Sequence, residues 1–296
     1  MVHAVGGAAA LAGALVLGPR IGKYNKDGSA NVIPGHHLPM AFLGTFILLF
    51  GWFGFNAAST FAATDVRFAV VATNTAIAGA FGAVSAMFFL MYTGNRKPDP
   101  GMMANGMLAG LVAVTAPCAF IQPWAAMVIG IIAGILVIFA ARFIENRGVD
   151  DPVGAVAVHG VCGTFGVLAV GIFADGQYGQ GWNGTEGASP TEGVVGILYN
   201  GTQGGAQLLT QAIAAVVIWT VIFGIAFSFF KLQNAFMKGG IRPPAEEELA
   251  GLDMAEMGAL AYPEFVHHEQ LARGPGGSPF SEEYVTSPTT GDDAPS

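Results

Sequence analysis

Seven apolar stretches run through this 296-residue chain, and the side chains within them able to exchange a proton near neutral pH are two histidines, His3 and His159. The cores of those stretches carry no Asp, Glu or Lys, and Arg142 stands at an end. A neutral imidazole has one donor and one acceptor nitrogen. Two such rings can share one hydrogen bond and offer their other edges to a small polar permeant. An apolar bore favours the uncharged ring. The sequence around the two histidines repeats in register: Val2-His3-Ala-Val5-Gly-Gly7 matches Val158-His159-Gly-Val161-Cys-Gly163. A lone histidine on an apolar face reads as an interior residue donating to a carbonyl. A repeated pair in otherwise uncharged spans reads as functional, because ionisable groups at membrane depth are functional by default.

A second group lies in Gly51-Trp-Phe-Gly-Phe55-Asn-Ala-Ala-Ser59-Thr. Phe55 and Ser59 are four apart and share a helical face. An aromatic face beside a hydroxyl suits a small cation, through cation–π attraction and a hydrogen bond. The plainer alternative is an interfacial aromatic belt with a helix-packing serine. His159 and Cys162 are three apart and with His3 could form a soft metal site, but a cysteine in a Gly-rich helix is more simply a small packing residue; no metal or cofactor is expected. Asp151-Pro152 reads as a helix N-cap followed by a first-turn proline. His36 and His37 read as interfacial.

These residues must be positioned by helices in a bilayer. Apolar residues make up 53% of the chain, charged residues 11%, and Gly contributes 43 positions. A soluble domain carries about 25% charged residues. The apolar stretches cover approximately 2–18, 38–60, 66–93, 102–121, 123–143, 152–174 and 204–231. All but the first are long enough to cross ~30 Å of hydrocarbon, for which about 20 helical residues suffice. Recurrent Gly (Gly106/Gly110, Gly130/Gly134, Gly160/Gly163/Gly166) lets helix backbones approach closely in lipid. With the N-terminus outside, eleven of the twelve basic residues fall on the inner side and only Arg67 on the outer, the asymmetry of a positive-inside protein. The first span then runs inward and the sixth outward. Matching segments of opposite direction are the trace of an inverted repeat, which places sites near the midplane.

Charge divides the chain. Met1 to Leu232 holds 9 basic and 9 acidic residues, whereas Gln233 to Ser296 holds 3 basic and 11 acidic, so the whole net charge of −8 sits in the tail. No basic stripe exists, so nucleic-acid binding is unsupported. A membrane-embedded enzyme needs an intramembrane carboxylate pair, metal cluster or activated nucleophile, and span cores without carboxylates point away from one. Three regions are expected: a transmembrane domain over 1–231, a cytoplasmic regulatory tail over 232–266 and an acidic extension over 267–296, whose Gly, Pro, Ser, Thr and acid content reads as disorder. Asn-Gly-Thr occurs at 183 and 200, a glycosylation acceptor only in a eukaryotic secretory pathway.

Several segments together resemble the ammonium transporter (Amt) family. They are His37-Leu-Pro-Met-Ala through Gly44-Thr-Phe-Ile, Gly51-Trp-Phe-Gly-Phe-Asn, Asp150-Asp-Pro-Val-Gly-Ala-Val-Ala-Val-His-Gly-Val-Cys-Gly, Gly18-Pro-Arg-Ile-Gly, and Ile241-Arg through Glu246-Glu-Glu-Leu-Ala-Gly-Leu-Asp. The resemblance spans about residues 2–266. It implies an all-α integral membrane fold: about seven transmembrane helices of an eleven-helix inverted repeat, with the family's first four helices and the start of the fifth ahead of Met1. It also implies a homotrimer in the cell membrane with a pore through each subunit. Ammonium, and methylammonium as an analogue, would be captured outside and lose its proton, and ammonia would pass twin histidines. On that resemblance His3 and His159 match the twin pair, Phe55 a gating phenylalanine and Ser59 the outer-site serine. The chain departs from the family pattern at Ala58, where Gly is usual, and at His37, where Asn is usual. The tail resembles one that docks a PII-type signalling protein at the cytoplasmic pore mouth. A truncated chain that transports nothing, or an ammonium sensor signalling through its tail, is the alternative reading.

Overall fold

The computed structural model describes residues 1–64, 66–176 and 193–263. They are helical, with two isolated β-bridges, Tyr24–Ala30 and Asp175–Val195, as the extended pairings among them. The helices are α1 (Val2–Leu17), α2 (Leu38–Trp52, prolonged by a π-helical turn over Phe53–Ala57), α3 (Val66–Thr93), α4 (Pro100–Thr115), α5 (Pro123–Asn146), α6 (Cys162–Phe173, preceded by a π-helical turn over Val156–Val161), α7 (Gly201–Phe236) and α8 (Ala245–Ala250). The chain divides into two compact units, the first of which ends at Lys238, just beyond the end of α7 at Phe236.

Local chemistry sets the helix ends. Asp99 accepts from Met102 N (3.0 Å) ahead of Pro100, which opens α4, a capped start with a pre-set proline φ. His37 does the same for α2: Nδ1 accepts from Met40 N at 3.0 Å. Asn200 caps α7 by accepting from Thr202 N and Gln203 N. Its partner sequon at Asn183, and most of the Gly-rich loop around it, lie outside the described residues, as does the acidic extension.

Five helical segments are long and apolar enough to cross a membrane: Leu38–Ala57, Val66–Thr93, Pro123–Asn146, Val156–Phe173 and Gly201–Phe236. Val2–Leu17 and Pro100–Thr115 are apolar but shorter. The fourth stretch was expected to span through residue 121. Its regular helix stops at Thr115, where Pro117 brings a ring in place of a backbone donor. The carbonyls freed beyond it are not left bare. Asn74 of α3, fully buried, donates from Nδ2 to Cys118 O and Ile121 O at 2.9 Å each. An unpaired carbonyl in hydrocarbon costs several kcal/mol, so this asparagine makes the early stop tolerable.

The core is a three-helix block of α3, α4 and α5 built on absent side chains. A Cβ added at Gly130 would stand 2.9 Å from Ala78 Cα; one at Gly106 would stand 2.6 Å from Gly82 O; one at Gly134 would overlap Gly82 O and Ser85 Oγ. Without a hydrophobic drive between helices in lipid, such backbone proximity is what holds them together. α2 and α7 instead turn large apolar side chains outward, among them Phe46, Ile47, Phe50, Ile213, Val216 and Phe229.

At the end of α1 the chain leaves through Gly18 (φ 80) and Pro19, and Arg20 is tied to the turn between α5 and α6. Its backbone N and Nε donate to Asp150 Oδ2 (2.9 and 2.7 Å) and its Nη2 to Oδ1 (2.9 Å). Nearby, Lys23 Nζ donates to the Glu145 carboxylate and to Asn31 O, and Tyr24 Oη donates to Glu145 O. The Arg20 hydrogen bonds hold the Asp150 carboxyl below the usual carboxylate range, against the opposing effect of burial. In the segment after Lys238, Arg242 grips Glu248 bidentately (Nε–Oε2 2.9 Å, Nη2–Oε1 2.8 Å) across the start of α8, and Asp253 accepts from Ala261 N.

Three outcomes follow. Removing the Asp150 carboxylate leaves the Arg20 donors unmatched, and hydrogen bonds to charged groups contribute about 1.5–3 kcal/mol. Asp150→Ala is expected to lower the melting temperature of the detergent-solubilised protein. Because the folded-state pKa is depressed, the wild-type contribution is present above the unfolded value of about 3.9 and fades as pH falls through the folded one; melting scans of Asp150→Asn should therefore lose less stability on acidification than wild type. Gly134→Val forces a branched side chain into the α3 backbone, and overpacking of this kind costs about 1–3 kcal/mol or more; gel filtration should show loss of the monodisperse folded protein.

Candidate functional site

The approach that builds the site is a crossing between α1 and the π-turn ahead of α6. Gly7 lies against Gly160 so closely that a Cβ on Gly7 would overlap the Gly160 backbone. A Cβ on Gly163 would stand 3.0 Å from both His3 Cβ and Ala4 N. As numbers rise along α1 they fall along its partner, so the two segments cross antiparallel. The glycines of the repeated sequence thus remove the bulk that would keep the histidines apart.

At this crossing His3 Nδ1 and His159 Nδ1 are 3.1 Å apart. The ring planes lie within 19° and the centroids 5.2 Å apart, so the rings meet edge to edge in one hydrogen bond. One ring donates and the other accepts there. His3 Nε2 is buried without a hydrogen-bond partner among the described residues.

Trp52 covers the other side of His3, stacked at 5.1 Å and 15°. Phe55 meets His3 edge-on at 5.7 Å and 83°, and Trp52 at 6.0 Å. Ser59 donates its proton to Phe55 O at 2.6 Å, which leaves the hydroxyl lone pairs facing away from its own helix. Phe55 and Ser59 line a cavity of about 230 Å³ with Val2, Asn56, Thr60 and Thr115 among its other walls. The structure therefore brings His3, His159 and Phe55 into one contiguous group, with Ser59 on the cavity beside it.

The expected regular helical spacing of Phe55 and Ser59 is replaced by the π-turn at Phe53–Ala57, and His159 likewise sits within a π-turn at Val156–Val161. Such turns insert a residue into a helix and re-aim side chains. Nothing in residue type or period announces them. Asp151 also differs in detail from expectation. Pro152 is in a turn rather than at the first helical position, and Asp151 Oδ2 accepts from Val156 N (2.9 Å) and Ala157 N (3.2 Å), capping the π-turn from five and six residues away. Gly154 at φ 74 makes that turn possible.

Cys162 does not face the imidazoles with a ligating sulfur: its thiol donates to Ala133 O of α5 at 3.7 Å. Among the described residues no group of three or more His, Cys, Asp or Glu is placed to hold a metal ion. Four further residues at the site carry little chemical signal of their own in the sequence: Trp52, which stacks on His3 and donates to Thr115, and Trp219, which lies beside Gly160 and donates to Thr164. The one signal available was that both tryptophans lie in spans, where an indole N–H needs a partner.

Comparison with known proteins gives a consistent picture. Residues 1–262 match the model of the Ammonium Transporter Family. The ammonium transporter Amt2 of Archaeoglobus fulgidus is 51% identical over 266 residues, which is 90% of this chain and 54% of that protein. Ammonium transporter Amt1 of Haloferax mediterranei is 37% identical over 291 residues, 93% of this chain and 50% of its own length. Among solved structures, a chain named Sensor Amt Protein superposes with a TM-score of 0.73 at 41% identity, covering 86% of this chain and 58% of that one. Mep2 of Saccharomyces cerevisiae does so with a TM-score of 0.71 at 27% identity, covering 93% and 57%. The chain spans about half the length of the curated relatives it matches. With a family match over nearly the whole apolar body and a relative half identical to it, this multi-pass membrane protein belongs to the ammonium transporter family.

Proposed function

We propose that the chain forms part of a pore that moves ammonium nitrogen across the cell membrane, with the imidazole pair as its central element. The observation that carries this reading is the 3.1 Å contact between His3 and His159. It joins two side chains 156 positions apart, in spans whose cores hold no carboxylate or lysine. The physical argument is one of cost. A charge at the bilayer centre costs about 2.5–3.5 kcal/mol or more, so a permeant that leaves its proton behind crosses more easily than the ion. Ammonium, or methylammonium in its place, would be taken from the cavity beside Phe55 and Ser59. The ring face attracts the cation, and the Ser59 lone pairs accept an N–H. The ammonium proton is given up at the cavity and follows by a separate, coupled route, while the neutral amine passes His3 and His159, each ring able to donate or accept.

The N-terminus of the chain is placed outside and the acidic tail in the cytoplasm, on the strength of the basic-residue asymmetry. Residues 1–231 form the pore wall, 232–266 a regulatory tail and 267–296 an acidic extension. A homotrimer is the assembly, and the tail is the docking element for a PII-type signalling protein. A second reading is favoured by the 41% identity to a chain named Sensor Amt Protein: the site binds ammonium and reports it through the tail with little flux. Saturable ammonium binding to the purified protein without methylammonium flux into vesicles would select it.

His159→Ala removes one ring of the pair and should abolish proton-coupled methylammonium uptake in a host without its own ammonium uptake, while gel filtration shows unchanged assembly; undiminished currents would falsify the role given to the pair. Mixing the detergent-solubilised protein with a PII-type protein should yield a complex sensitive to ADP or ATP on gel filtration. No complex under either nucleotide would count against the tail's docking role.

A further inference from the structure

One tryptophan, Trp52, stacks on His3, and a second, Trp219, lies over Gly160 beside His159; each is anchored by a threonine in the same chemical arrangement. Trp52 Nε1 donates to Thr115 Oγ1 at 2.9 Å, and Thr115 Oγ1 donates its single proton to Leu111 O at 2.8 Å. Trp219 Nε1 donates to Thr164 Oγ1 at 2.9 Å, and Thr164 Oγ1 donates to Gly160 O at 2.7 Å. A hydroxyl has one proton and two lone pairs. With the proton committed to the carbonyl four residues back, only a lone pair faces the indole, so the roles of donor and acceptor are settled in both pairs.

The consequences reach the imidazoles. Trp52 is buried, and turning its ring about the side chain would strip the indole N–H of its acceptor in a medium without water. Its plane lies 15° from that of His3, and the His3 plane lies 19° from that of His159. The ring that Thr115 anchors is thus the surface that sets the tilt of His3, and that tilt decides whether Nδ1 points at His159. On the other side Trp219 lies over Gly160, where an added Cβ would be 3.1 Å from the ring. It therefore presses on the π-turn that carries His159, and Thr164 closes the same turn through the Gly160 carbonyl.

We propose that Thr115 and Thr164 are positioning residues that act through Trp52 and Trp219 to hold His3 and His159 in the one mutual orientation in which they share a hydrogen bond. Neither hydroxyl proton is free to serve a permeant; the contribution of both is orientation. For its bearing on transport this rests on the pore reading above, but the arrangement itself is open to direct observation without any flux.

The test uses the full chain in detergent, labelled with ¹⁵N in tryptophan and histidine side chains, and compares wild type with Thr115→Val, Thr115→Ser and Trp52→Phe. Signals are assigned with His3→Gln and His159→Gln. Thr115→Val keeps the shape and removes the acceptor. It should move the Trp52 indole N–H upfield and also shift the imidazole nitrogens of both histidines, while Thr115→Ser restores all of them. Trp52→Phe keeps a stacking ring without the N–H and should reproduce the imidazole shifts. It carries the test by itself if Thr115→Val does not fold. Imidazole signals unmoved by Thr115→Val, or by Trp52→Phe in its place, would overturn the proposal, as would a Thr115→Ser spectrum matching that of Thr115→Val. Coupled shifts in a chain that moves no methylammonium would instead overturn the pore reading and leave the positioning role standing.

Discussion

Everything at the centre of this molecule depends on the near-contact of two backbones, Gly7 of α1 and Gly160 of the turn before α6. A single methyl group at Gly7 would hold these segments apart, and with them His3 and His159. In lipid, helices gain nothing from leaving an apolar solvent, so close backbone approach and a few polar contacts must do the joining. The same device recurs where α3, α4 and α5 meet through Gly82, Gly106, Gly110, Gly130 and Gly134. The site crossing differs in what the approach exposes: two imidazole edges rather than more apolar surface.

Close packing of this kind leaves little slack for irregular backbone, yet the segments around the histidine pair are irregular. Both π-turns, and the early end of α4, release backbone groups inside the apolar layer. Each has side chains assigned to it: Ser59 and Thr60 to the carbonyls of Phe55 and Ala57 in the first π-turn, Asp151 to the amides of Val156 and Ala157 and Thr164 to the carbonyl of Gly160 in the second, and Asn74 to the carbonyls of Cys118 and Ile121 beyond α4. The carbonyls beyond α4 account for buried Asn74, while buried Thr75 donates to Val71 O within α3 and accepts from Asn56 Nδ2. Where the chain emerges beyond α1, the fastening changes to full charges, with Arg20 on Asp150 and Lys23 on Glu145. Ionic contacts sit at the ends and neutral hydrogen bonds in the middle, as the cost of charge in hydrocarbon requires.

The chemistry follows from that gradient. On the proposed pore reading, two imidazoles beside aromatic rings exchange hydrogen bonds with a small amine, and the span cores hold no carboxylate to balance a fixed positive charge. Beside it lies a cavity with an aromatic face and a serine lone pair, the kind of surroundings a small cation tolerates before giving up a proton. In that reading the selectivity of the pore comes from the sequence of environments met by the permeant, ordered by the fold and not by any single residue.

Much of this was legible in the residues alone. Seven apolar helices, the acidic tail, the isolation of His3 and His159 and the repeat around them all follow from composition and spacing, because bilayer thickness and the scarcity of charge act on the chain segment by segment. The family resemblance added the pairing of the two histidines with Phe55 and Ser59. What the sequence could not hold was register. Whether Phe55 and Ser59 share a plain helical face, where α4 stops, and which atoms of His3 and His159 meet depend on π-turns and on contacts between segments far apart in the chain. The same is true of Trp52 and Thr115, separated by 63 positions, and of Trp219 and Thr164, separated by 55. A helix period records which face of one segment is apolar. It carries no record of the partner that face will meet, and hydrogen bonds made across the bundle are decided only when the glycine crossings bring the backbones together.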